Sequence, residues 1–152
     1  MGYIMELRRF VGSRPIIATG ACVLLCKNQY LLLQRRTDNG LWALPGGSME
    51  LGETMEDVAK RELFEETGLE ANSIELFDLF SGKNLYYKYP NGDEVYNVIS
   101  AYICSDFKGA LNENNAEVKE LRFFNYEEIP LDLSPPDSIV INKFLNEVGN
   151  NV

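Results

Sequence analysis

Four glutamates and one arginine stand at spacings that bring them together: Glu53, then Arg61, Glu62, Glu65 and Glu66. The segment from Thr54 to Thr67 reads as a helix. Thr54 can cap its start, Asp57 three residues on makes a weak capping box, and Gly68 stops it. At about 100° per residue, Met55, Val58, Ala59 and Leu63 form an apolar face. Glu62 and Glu66 fall within that arc and Glu65 lies at its edge, whereas Glu56, Asp57, Lys60 and Phe64 point away from its centre. Three carboxylates therefore converge on the side of the helix that ought to be dry, and each uncompensated buried charge is costly.

Arginine or a divalent cation can compensate them. Arg61 reaches Glu65 at i+4, and Arg35 or Arg36 can approach from a strand, but arginine is too scarce on this face to neutralise all three. The bland alternative is a solvated acidic face; the scarcity of arginine favours the cation. With oxygen ligands and neither His nor Cys nearby, the ion is hard: Mg²⁺, or Mn²⁺ in its place. Upstream, Gly46-Gly47 makes a tight loop whose backbone can approach a ligand or metal closely. Glu53 adds a fourth carboxylate at the mouth of the helix.

The rest of the composition narrows the chemistry. There is no histidine, which excludes Ser-His-Asp and Cys-His machinery, imidazole zinc sites and histidine bases. The net charge of −9 disfavours DNA or long RNA as a partner, because phosphate binding is driven by basic residues. A phosphorylated substrate must then meet a local island of positive charge. Cys22, Cys26 and Cys104 are odd in number, lie in apolar runs and show no metal spacing, so they read as reduced buried thiols in a cytoplasmic protein. The N-terminus is charged where a signal peptide needs an apolar core, and no stretch is long enough to span a bilayer.

The elements that must position the carboxylates follow from pattern. With 152 residues and no linker or repeat, a single domain over 1–152 is expected. Ile16–Cys26 and Tyr30–Arg35 read as strands joined at Lys27-Asn28-Gln29. Asp38-Asn39-Gly40 turns the chain, and Pro45-Gly46-Gly47 breaks it again. After the helix come strands over Ile74–Phe80, Leu85–Tyr89 and Val95–Cys104, the last two a hairpin around Pro90-Asn91-Gly92-Asp93. Leu121–Phe124 is a further short strand, and Ser134-Pro135-Pro136-Asp137 opens a final helix with an apolar stripe through Ile139, Val140, Phe144, Leu145 and Val148. Tyr3–Val11 is an extra strand or helix. Strands, helix, strands, helix make a mixed α/β or α+β domain.

Read from Gly47, the chain has five residues, Glu53, seven residues, then Arg61-Glu62-Leu63-Phe64-Glu65-Glu66-Thr67-Gly68-Leu69. This resembles the complete Nudix box, G-x5-E-x7-R-E-U-x-E-E-x-G-U, over residues 47–69. At ordinary residue frequencies a chance match is on the order of one in a billion per start site. Leu31–Arg36, Trp42–Gly47 and Leu121–Pro130 also resemble Nudix proteins, so the likeness in layout runs from about Ile16 to the C-terminus.

The resemblance implies an α/β/α sandwich with a mixed sheet, the box forming loop–helix–loop. It implies a MutT-like pyrophosphohydrolase that cleaves a nucleoside diphosphate linked to another moiety: an NTP, a nucleotide sugar, ADP-ribose or a dinucleoside polyphosphate. It assigns Glu62, Glu65 and Glu66 to Mg²⁺ or Mn²⁺, with Glu53 and the Gly46 carbonyl, and has Arg61 orient the glutamates. The base that takes the proton from water varies across the family; Glu62, Glu66 and the loop glutamates Glu117 and Glu120 are candidates here, Glu62 being favoured. Arg35 or Arg36 would meet phosphate, and a tyrosine of the cluster Tyr86, Tyr87, Tyr89 and Tyr96, Tyr86 foremost, would stack a base. The alternative is a catalytically silent nucleotide-binding sensor on the same fold. Analogy with the family favours a homodimer.

Overall fold

The computed structural model describes residues 2–150; Met1 and residues 151–152, the ends of the expected domain, lie outside them. Tyr3–Val11 is a helix, α1. A long strand β1 (Ile16–Lys27) turns into β2 (Tyr30–Arg36) through Asn28 and Gln29, both at positive φ, 53° and 70°. Two successive left-handed residues are the signature of a type I′ hairpin turn. Short strands β3 (Trp42–Ala43) and β4 (Gly46–Ser48) fill the region that turn residues had marked as a break. Then come α2 (Met55–Thr67), β5 (Leu69–Phe80), β6 (Tyr86–Lys88), β7 (Glu94–Gly109), β8 (Val118–Asn125) and α3 (Pro135–Asn150).

The sheet order is β3-β2-β1-β7-β5, with β4 on β1, β6 on β7 and β8 on β2. Among the described residues only β1 and β7 pair in parallel; the other ladders are antiparallel, so the sheet is mixed. Strand alternation then builds two cores. Val23, Leu25 and Leu32 face α2 and join Val58, Ala59 and Leu63, while Cys22, Leu24, Leu31 and Leu33 face α3 and join Val140, Ile141 and Phe144. This is an α/β/α sandwich.

Differences from the pattern reading are local. β5 starts at Leu69, directly after the Gly68 cap, because β7 runs on to Gly109 and pairs with it. Leu85 belongs to a 3₁₀ turn, Lys83–Leu85, that starts from Gly82 at φ 105°, and the strand itself is only Tyr86–Lys88. Its hairpin with β7 holds, with Lys88 opposite Glu94. Tyr3–Val11 resolves to helix: the Arg8 guanidinium grips the carbonyls of Gly12, Arg14 and Glu94 and ties α1 to the sheet.

Candidate active site

The α2 helix begins as its sequence dictates. Thr54 accepts from the Asp57 N–H and Asp57 accepts from the Thr54 N–H, both at 3.1 Å, and Gly68 closes the helix in the left-handed region. Its apolar stripe fixes the rotation, and rotation decides where the glutamates go. Glu66 is buried at 6% exposure, and the Glu62 side chain is 15% exposed. Glu65, expected with them, is turned outward with its side chain 55% exposed. A residue at the edge of the arc follows solvent once the arc is packed.

Arg61 organises the rest. Its Nε donates to Glu53 Oε2 at 2.7 Å and its Nη2 to Glu53 Oε1 at 2.8 Å. Nη1 donates to Glu62 Oε1 at 2.7 Å and to Glu65 Oε2 at 3.3 Å, and Nη2 also reaches the Ser48 carbonyl at 3.1 Å. One arginine therefore serves Glu53, Glu62 and Glu65. Of the three helix carboxylates it leaves Glu66 without a cationic partner among the described residues, as the scarcity of arginine on this face implied. The Arg61 contact holds Glu53 below the usual carboxylate range. Burial pushes Glu62 up and Glu66 well up, the Glu62 carboxyl adding to the rise at Glu66.

Among the described residues no three His, Cys, Asp or Glu are grouped closely enough to hold a metal ion by themselves. Glu65 faces solvent and Arg61 holds both oxygens of Glu53, whereas it takes only Oε1 of Glu62 and neither oxygen of Glu66. The arrangement still fits one. Glu66 Oε2 is buried without a hydrogen-bond partner. The Gly46-Gly47 segment pairs with Ala21 and Cys22, and a Cβ on Gly47 would lie 2.5 Å from the Glu62 carboxyl carbon. The glycine thus lets the Glu62 carboxylate lie directly against the loop backbone. The donors are all oxygen, as a hard cation requires.

These residues line a cleft together with Gln34, Arg36, Asp38, Tyr89 and Glu117. A second cavity adjoins it and shares Arg36, Gly46, Gly47, Ser48 and Tyr89; its other polar lining includes Tyr87, Asn97, Ser134 and Asp137. Arg36 is held at the junction by two hydrogen bonds to Asp38, each 2.8 Å. Asp137 accepts from the Leu44 N–H at 3.1 Å, and burial pushes its carboxyl up to about 6.

Three sequence candidates lie elsewhere, Arg35 and Tyr86 for reasons of strand alternation. Arg35 points to the opposite face of β2, where it donates to the Gly40 carbonyl at 3.0 Å and lies over the Trp42 ring. Tyr86 faces away from the cavity, its hydroxyl 2.5 Å from Glu94 and its ring against Tyr96. Tyr87 and Tyr89, two residues apart, share the cavity face and meet edge to face at 5.0 Å. Glu120 is paired with Arg122 on the Trp42 side, whereas Glu117 lines the cleft. Asp137 and Gln34 carried no chemical signature in the sequence; only the approach of α3 and β2 to the box brings them in.

The family model described as the NUDIX domain matches residues 15–144. The chain belongs to the Nudix hydrolase family. A protein named ADP-ribose pyrophosphatase from Methanocaldococcus jannaschii is 34% identical over 105 residues, 68% of this chain and 58% of its own length. A protein named putative 8-oxo-dGTP diphosphatase from Bacillus subtilis is 31% identical over 124 residues, 82% of this chain and 76% of its own. This chain thus spans little more than half of the first relative. The crystal structure of a MutT NUDIX hydrolase from Burkholderia pseudomallei matches with a TM-score of 0.71 at 22% identity, covering 85% of this chain and 97% of that one, a likeness of fold. Helix α1 lies outside the family match, and no helix among the described residues is long and apolar enough to cross a membrane.

Proposed function

We propose that this Nudix domain hydrolyses a pyrophosphate bond in a small nucleoside diphosphate derivative and depends on a divalent cation, Mg²⁺ or Mn²⁺. The observation that carries the reading is the buried, unpartnered Glu66 Oε2 beside Glu62 at the floor of a cleft. A buried acceptor without a donor is expensive unless a ligand completes it. Glu62, Glu66 and the Gly46 carbonyl would hold the ion. When bound, it would neutralise the pyrophosphate and make water a better nucleophile at neutral pH.

The chain's own groups account for the remaining work. Arg61 fixes Glu53 and Glu62, so that the loop of the box and the helix cannot drift apart. Arg36 meets a phosphate oxygen at the junction of the two cavities, its charge paired with Asp38 until substrate arrives. Tyr87 and Tyr89 border the adjoining cavity, which suits a nucleoside: flat faces to stack on and polar groups at the edge. Glu62 accepts the proton of the attacking water, with Glu117 the second carboxylate on the cleft wall. A reducing cytoplasm suits the free cysteines Cys22, Cys26 and Cys104.

The test is release of phosphate and pyrophosphate from NTPs, nucleotide sugars, ADP-ribose and dinucleoside polyphosphates, with Mg²⁺, Mn²⁺ or EDTA, for wild type and Glu66→Gln. Metal-dependent turnover lost in the variant supports the hydrolase. Tight binding of a nucleotide without turnover would favour the sensor instead.

A further inference from the structure

Gln34 is a polar side chain that the reading above leaves without a task. It sits in β2 at 4% exposure, directly after the fully buried Leu31, Leu32 and Leu33. Its backbone is paired with Ala43 on one side and Leu121 on the other. A strand this deep gains nothing in packing from an amide, since burying one without full partners costs more than burying a leucine or methionine. Its Nε2 stands 3.5 Å from the Leu44 carbonyl, the outer limit of a hydrogen bond. The same side chain lines the cleft that holds the Glu66 carboxyl.

Three buried side-chain atoms lack partners among the described residues: Arg8 Nε, Gln34 Oε1 and Glu66 Oε2. The first belongs to α1, where the other guanidinium nitrogens are already engaged. The other two are both acceptors, and their residues line one cleft. Two orphaned acceptors in one cleft call for a ligand that brings positive charge and hydrogen-bond donors together. A hydrated divalent cation does both, because Mg²⁺ sheds its water reluctantly and keeps several molecules when bound.

We propose that Gln34 is a positioning residue of the cation site: with its Nε2 at the Leu44 carbonyl, its unpartnered Oε1 accepts a hydrogen bond from water that enters the cleft with the cation and holds that water beside Glu66. The proposal rests on Glu62 and Glu66 being the cation's ligands. A neutral amide serves both ends at once. A further carboxylate would accept from water equally well but would repel Glu66, and an aliphatic side chain would offer that water no acceptor. Outer partners of this kind commonly contribute about 10–100-fold to metal affinity.

The experiment compares wild type with Gln34→Met and Gln34→Glu, using Mn²⁺ alone as the probe. Free Mn²⁺ is followed by electron paramagnetic resonance, and the unfolding midpoint is measured with and without the ion. Gln34→Met is expected to bind Mn²⁺ about tenfold more weakly, and to lose kcat while KM for the nucleotide holds. Gln34→Glu keeps an acceptor but faces Glu66 with a second carboxylate. Its metal-free midpoint should fall, and its Mn²⁺-induced rise should exceed that of wild type. Wild-type Mn²⁺ affinity in Gln34→Met overturns the proposal. So does a Mn²⁺-induced rise in Gln34→Glu equal to wild type, a comparison that stands even if Gln34→Met fails to fold. A wild-type protein that binds no Mn²⁺ overturns the cation reading itself, and the proposal with it.

Discussion

The Arg61 guanidinium closes on the Glu53 carboxylate through two hydrogen bonds, 2.7 Å from Nε and 2.8 Å from Nη2. Its third nitrogen holds Glu62, and the Ser48 carbonyl completes the set. A planar fork is needed to satisfy so many acceptors at once, and lysine offers only a point charge. Arg61→Lys should therefore lower kcat/KM by roughly 10–100-fold, the usual range for a lost outer partner of a metal site. Retention of wild-type kcat/KM would show that Glu53 and Glu62 keep their places without the fork.

Glu65 and Glu66 are neighbours in sequence with opposite environments, one mostly exposed and one buried. Glu66→Gln removes a desolvated negative charge, so the metal-free protein should unfold at a higher temperature while its Mn²⁺-induced stabilisation disappears. Turnover should fall by at least about a hundredfold, on the scale of a removed transition-state contact. Glu65→Gln should leave the metal-free midpoint nearly unchanged and cost far less activity. Equal losses in the two variants would mean that Glu65 swings inward when the cation binds.

The box told most of this in advance because its chemistry is local. Seven residues separate Glu53 from Arg61, and helical spacing sets Glu62, Leu63 and Glu66 on one arc, so both the helix and its carboxylates were readable from the chain. Arg35 against Arg36, Tyr86 against Tyr87 and Glu120 against Glu117 were not. The first two pairs are decided by which face of a strand looks toward the cavity, and one residue of register reverses the answer; Glu117 lies in the turn before β8 and Glu120 within the strand. The shift in register between Arg35 and Arg36 cannot be read from two adjacent arginines. Gln34 and Asp137 were invisible for a different reason: their importance comes from what packs beside them, and nothing near them in sequence announces it.

Those strand faces give paired tests. Arg36 lines both cavities, whereas Arg35 lies over Trp42 on the far side. Arg36→Ala should lower kcat/KM about 10–100-fold, the loss of one to two charge-assisted contacts to phosphate. Arg35→Ala should leave kinetics near wild type. Tyr87→Ala should raise KM for the nucleotide, and Tyr86→Phe should not. If the kinetic losses fall on Arg35 and Tyr86 instead, the nucleotide does not use the cavity beside the box.

Asp137 ties the third helix to the sheet and gives the protein a pH dependence of its own. Burial pushes its folded-state pKa up to about 6, against roughly 3.9 for an unfolded aspartate. Below about pH 4 both states are protonated and the group adds nothing. Between pH 4 and 6 the unfolded chain loses the proton first, so stability falls as pH rises, and above 6 the penalty is complete. Asp137→Asn keeps an oxygen for the Leu44 N–H, 3.1 Å away, and carries no charge to desolvate. Urea unfolding at pH 4, 5, 6 and 7 should show the variant gaining on wild type by roughly 2–3 kcal/mol across that window. A constant difference at all four values would mean that the Asp137 charge is matched in the folded protein, by Arg36 or by water, as well as it is in the unfolded chain.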